Sequence, residues 1–100
     1  MRFLFVVALL ISNLAVAQTP SFKPASGFVP DEGTAVAVAV AVLKPIYGAG
    51  AVEKQRPFKG RLENGTWHVQ GTLPANMLGG VAEVWIAKDD GRVLRVKHGR

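Results

Sequence analysis

FKGRLENGTWHVQGTLP, running from Phe58 to Pro74, is the stretch on which the reading of this chain turns. Asn64-Gly65 stands at its centre. An Asn-Gly pair between alternating apolar and polar residues is a strong hairpin signal, because both central residues of a type I′ turn need positive φ. The pair divides the stretch into one strand over about 58–63 and a second over about 66–72. Pro74 ends the pairing because it brings no N–H to a ladder, and Gly79-Gly80 belong to a longer connection. A third strand follows over 81–88 and a fourth over 92–97. They join across Asp89-Asp90-Gly91, where a type I turn with a following bulge fits. No helical pattern interrupts these strands, so an antiparallel meander is expected and a parallel α/β sheet is not.

Upstream, Pro30-Asp31-Glu32 reads as a helix start. Proline suits the first helical turn, where its missing N–H is no loss, and the acids suit the positive end of the helix dipole. The run from Thr34 to Leu43 carries two signals. Valine at 36, 38, 40 and 42 is a period-two, β-branched pattern, whereas the alanines between them favour a helix. The acidic start and the Tyr47-Gly48 stop favour a buried helix. Lys44-Pro45 is expected to end or kink it, and Gly48-Ala49-Gly50 to form a loop. The fold class is therefore α+β, with one N-terminal helix packed on a four-stranded antiparallel sheet.

The segment before this unit reads as an export signal. Met1-Arg2 gives a positive start, Phe3 to Ile11 an apolar run, and Ala15-Val16-Ala17 small residues for cleavage after Ala17. The apolar run is too short for a membrane-spanning helix, which needs about 20 apolar residues. The expected division is a signal peptide over 1–17, a linker over 18–27 and one domain over 28–100. The expected location is the periplasm, with no stable membrane insertion after cleavage. The chain has no cysteine, which excludes disulfides, thiolate catalysis, cysteine-held metals and a cysteine-linked lipid.

Alternation sorts the strand residues into two faces. Phe58, Leu62, Trp67, Val69, Val84, Ile86, Leu94 and Val96 form an apolar set that should meet the helix. The opposite set is Lys59, Arg61, His68, Gln70, Glu83, Trp85, Arg95 and Lys97. Residues 54–100 hold 9 Lys and Arg against 4 Asp and Glu, whereas residues 18–53 hold 2 against 3, so the positive charge gathers in the sheet. Such a face is either the solvated side of a one-sided sheet or a surface for an acidic partner, with Trp85 as anchor. Lys59, Arg61, His68, Gln70, Trp85, Arg95 and Lys97 are the candidate partner-binding residues. Nucleic acid would use the same charges but is not an expected partner of an exported protein.

No catalytic, cofactor or metal site is legible. The serines at 12, 21 and 26 all precede the expected domain, which excludes a serine nucleophile within it. Asp31, Asp89 and Asp90 read as helix-start and turn residues rather than metal ligands. His68 and Glu83 would form an acid–base pair only as cross-strand neighbours, and a surface ion pair of small energetic weight is the simpler expectation.

Several short pieces, taken in order, carry a resemblance. They are Gly27-Phe28-Val29-Pro30-Asp31-Glu32 with Thr34-Ala35, Pro45-Ile46-Tyr47-Gly48, Arg56-Pro57-Phe58, Trp67 to Pro74, Gly79-Gly80, Asp90 to Leu94 and His98-Gly99. Together they resemble the NTF2-fold immunity proteins of the YbbC/YhhH type over about 27–99. The resemblance implies a minimal NTF2-like or cystatin-like fold and a non-catalytic inhibitor of a cognate bacterial toxin, with no cofactor. An acidic contact surface on the toxin is the expectation from the basic face. The alternative is a periplasmic module holding a small apolar ligand between helix and sheet, near Phe58, Trp67 and Tyr47.

Overall fold

The computed structural model describes residues 21–99; the expected signal peptide and its cleavage point lie outside them. The first helix, α1, spans Glu32–Tyr47 and a short second helix, α2, spans Ala49–Glu53. Four strands follow: β1 Lys59–Glu63, β2 Thr66–Gln70, β3 Ala82–Ala87 and β4 Val93–His98. They form one antiparallel sheet in the order β1-β2-β3-β4. The α+β architecture is as the sequence predicts: a leading helix lies across one face of a meander.

Asp31 caps α1, its Oδ1 accepting the Thr34 backbone N–H at 2.8 Å and the Thr34 hydroxyl at 2.7 Å. Pro30 therefore stands just before the cap rather than in the first turn. Glu32 uses its carboxylate differently, accepting the Gly60 N–H of β1 at 2.9 Å. Ala35, Ala39 and Leu43 are fully buried, Val40 nearly so, and Val36, Val38 and Tyr47 pack partly against them. The buried positions recur about every four residues, as a helix requires. The valine alternation is thus incidental, spreading its four side chains around the helix.

Lys44-Pro45 does not end α1, which continues to Tyr47. Pro45 falls in the last turn, where a missing N–H removes one ladder bond. Gly48, at φ 92°, closes the helix by donating to the Lys44 carbonyl at 2.8 Å. The expected loop at Gly48-Ala49-Gly50 is instead the start of α2, whose Val52 is fully buried. Glu53 joins the two helix ends: Arg56 donates to it at 2.6 and 3.1 Å, and Lys44 lies 3.4 Å away. Arg56 above all holds the Glu53 carboxyl below its ordinary range, and Glu53 in turn raises Arg56.

The first hairpin turns at Asn64 and Gly65 with φ of 50° and 76°, the positive pair its sequence demands. Phe58, Trp67, Val69, Val84 and Ile86 are buried beneath α1, with Ala82 beside them. Two residues of the expected apolar set depart. Leu62 pairs with Trp67 yet remains 44% exposed, because β1 is an edge strand at its end away from the core. Leu94 falls in a bulge: Trp85 faces Arg95, but Ile86 faces Val93. The extra residue breaks alternation, so Val93 takes the place opposite Ile86, and Leu94 is 45% exposed.

Polar contacts on two sides tie the periphery to this core. The Trp67 indole N–H donates to the Val29 carbonyl at 2.8 Å, while Phe28 and Val29 donate to the Asp89 and Lys88 carbonyls. Lys23 also reaches Asp89 at 2.8 Å. On the opposite side Gln55 is buried, and its Oε1 accepts the Ala82 N–H at 2.8 Å. Gly71 passes so close that a Cβ there would meet Gln55 Oε1 at 2.6 Å and Gln55 Cβ at 2.8 Å.

Two substitutions test this packing. Gly71→Ala should destabilise the fold by about 1–3 kcal/mol through overpacking, read by urea denaturation. Gly50→Ala has open space around it and should be neutral or stabilising by up to about 1 kcal/mol. A third tests the cap. Thr34's backbone N–H, then its hydroxyl, hold the Asp31 carboxyl below its ordinary range. Its stabilisation is therefore present above the unfolded carboxylate range and lost as pH falls through the lowered folded value. Asp31→Ala should lower the melting temperature at neutral pH, and the gap from the unsubstituted protein should narrow under acid.

Candidate functional site

With α1 on one side, the other face of the sheet carries every residue that the sequence singled out. Their register makes two rows across all four strands. Lys59, Gln70, Glu83 and Lys97 form one; Arg61, His68, Trp85 and Arg95 form the other. Neighbouring strands lie roughly 4.8 Å apart, so each side chain stands beside the next in its row.

The second row is continuous. Arg61 Nη2 lies 3.1 Å from His68 Nδ1, and the His68 and Trp85 rings stack at 4.3 Å with 8° between their planes. Arg95 Cζ sits 4.9 Å over the Trp85 ring. His68 comes from β2 and Arg95 from β4, on either side of Trp85 in β3, so the indole is held between an imidazole and a guanidinium. Trp85 therefore does not offer a bare ring. It stands on edge, with its faces covered by its neighbours.

His68 also crosses between the rows, its Nε2 lying 2.7 Å from Glu83 Oε1. A guanidinium has donors only, so the Arg61 contact requires a lone pair on His68 Nδ1. With Nδ1 accepting, Nε2 is the nitrogen that donates to Glu83. The His68 and Glu83 side chains are only 12% and 15% exposed. The pair thus lies deeper than the surface ion pair expected: neighbouring side chains shield these groups from water, and a lost partner costs more there than at a surface. Lys97 adds a longer contact to Glu83 at 3.9 Å.

Among the described residues, no three of His, Cys, Asp and Glu converge as a metal would require. No helix among them is long and apolar enough to cross a membrane. The space between helix and sheet that the ligand alternative invoked holds Phe58 and Trp67, 6% and 7% exposed, and Tyr47, half-buried against the core, also meets the His98 ring at 5.2 Å. Sequence reading missed a groove of about 440 Å³ beside α2. It is walled by Leu73, Met77 and Leu78 from the β2–β3 connection, with Lys54 and His98 at its margin. The exposed leucines and methionine of that connection were its only sequence signal.

The profile describing NTF2 fold immunity proteins matches residues 34–100. The uncharacterized protein YhhH of Escherichia coli strain K12 is 33% identical over 73 residues, covering 72% of this chain. The chain spans 58% of the length of that relative. No solved structure matches the chain.

The geometry of His68 sets a test of its own. His68→Ala should cost about 1–3 kcal/mol, the scale for leaving a shielded polar partner unsatisfied. It should also alter the near-ultraviolet circular dichroism of Trp85. Unchanged stability and an unchanged aromatic signal would contradict the stacked arrangement.

Proposed function

The chain belongs to the NTF2 fold immunity protein family, and from that premise we propose that it binds a cognate protein toxin and neutralises it without catalysis. The outer face of the sheet is the binding surface in this reading. The observation that carries it is the pair of cross-strand rows, which present Lys59, Arg61, Arg95 and Lys97 around a Trp85 fixed by stacking.

Interfaces concentrate their energy in tryptophan and arginine held by well-packed surroundings. An ordered positive face also speeds encounter with a negative partner. The toxin surface that fits is acidic, and Gln70 adds a neutral polar group to the patch. Export through the N-terminal segment would put the encounter in the periplasm, suiting toxins that act on the cell envelope. The apolar-ligand reading gains nothing from the core, where Phe58 and Trp67 of its expected lining are buried and Trp67 is hydrogen-bonded.

The test is co-expression of the tagged protein with the product of the neighbouring gene, followed by capture from periplasmic extract. One stoichiometric partner is expected, with binding that weakens as salt rises. Changing Arg61, Trp85 and Arg95 together should abolish capture and toxin protection. Capture that survives the triple change would move the binding surface elsewhere on the fold. Absence of both a partner and any protection would remove the immunity role.

A further inference from the structure

The cations of the outer face are not equivalent. Arg61 is engaged twice, its Nε donating to Glu63 at 3.0 Å and its Nη2 to His68 at 3.1 Å. Lys97 leans towards Glu83. Arg95 is exposed, and among the described residues no carboxylate or carbonyl accepts from its guanidinium and its side-chain partner is the Trp85 ring. A guanidinium seated over a ring leaves the N–H groups at its edge free. That edge matches a carboxylate with two parallel hydrogen bonds.

The support behind Arg95 is built in series. Arg61 and Glu83 fix His68 from its two ring nitrogens, His68 backs one face of Trp85, and Trp85 holds Arg95 with the other. Such a held fork loses less side-chain freedom on binding than a free lysine does. Lys59 carries a charge of the same sign, but on a flexible stem without the fork.

We propose that Arg95 is the group that takes a partner carboxylate, with Trp85 as its positioning residue and Arg61 as a brace rather than a contact. The proposal rests on the outer face being the partner surface. It assigns the central contact to an aspartate or glutamate side chain of the partner. A single fork beside Lys97, itself drawn towards Glu83, matches one carboxylate better than a phosphate dianion.

The probe is an oligoglutamate peptide, with oligoglutamine and inorganic phosphate as controls, followed by ¹⁵N NMR of the arginine Nε–H and tryptophan Nε1–H signals. Saturable shifts are expected at Arg95 and Trp85 with oligoglutamate, small ones at Arg61, and weaker responses with both controls. Trp85→Ala should weaken the Arg95 response roughly tenfold, equivalent to about 1.4 kcal/mol, and Trp85→Phe should restore most of it. Arg95→Lys, a change at an exposed side chain that leaves the fold intact, should lose the response at Trp85. Equal shifts at Arg61 and Arg95, stronger phosphate binding, or a Trp85→Ala protein with unchanged Arg95 affinity would each overturn the proposal. The two readings fail separately. A selective Arg95 response without any toxin partner removes the immunity role alone. Tight toxin capture that Arg95→Ala leaves intact removes this assignment alone.

Discussion

Everything on the outer face follows from how α1 meets the sheet. Ala35 and Ala39 lie fully buried between helix and strands, and side chains that small let the helix backbone approach closely. Leu43 and Val40 extend the same contact, and Val69, Val84 and Ile86 meet it from below. Enlarging either alanine would force helix and sheet apart, a change that well-packed interiors resist. One helix can shade only part of a four-stranded sheet: α1 packs over β1, β2 and β3. On β4, beyond it, only Val96 is partly buried. Among the described residues no second layer covers the far face, so its side chains satisfy one another or water.

They satisfy one another to an unusual degree for a solvated face. The Arg61–His68–Trp85–Arg95 row joins a charged hydrogen bond, an aromatic stack and a cation–π contact in a single line. Each link limits the freedom of the next, because a ring pinned between two neighbours has few rotamers left. Glu83 supplies the negative charge that keeps a strongly basic surface from repelling itself, and it does so from a shielded position. The family assigns toxin immunity to this fold; it does not say which surface meets the toxin, since one fold serves many sites. The arrangement of this particular row is what supports proposing it as the partner surface.

Much of this was legible because local rules and tertiary structure agree. Asn64-Gly65 set the first hairpin and, through its two-residue turn, the β1–β2 register. Alternation then placed all eight outer-face residues correctly, and the helix was legible in its acidic start and its stop signal. The failures have local causes. Pro45 reads as a terminator, but near the end of a helix it removes only a bond that the helix can spare. Leu94 reads as core because alternation cannot register a bulge until the opposing strand is known. Leu62 has the right face and the wrong place, since an edge strand extends beyond the cover of its helix. His68 and Glu83 were recognised as a possible pair, whereas their shielding depends on which side chains flank them. That depends on pairing across four strands, which no local pattern reports.

In the proposed complex the partner meets the open sheet face and not the helix. Cross-saturation NMR on the complex with the co-expressed toxin tests this directly, by recording which amides of the immunity protein receive magnetisation from the partner. The expected footprint lies on β2, β3 and β4, centred on His68, Trp85 and Arg95, with α1 silent. A footprint on α1, or on the groove beside Leu73 and Met77, would contradict it.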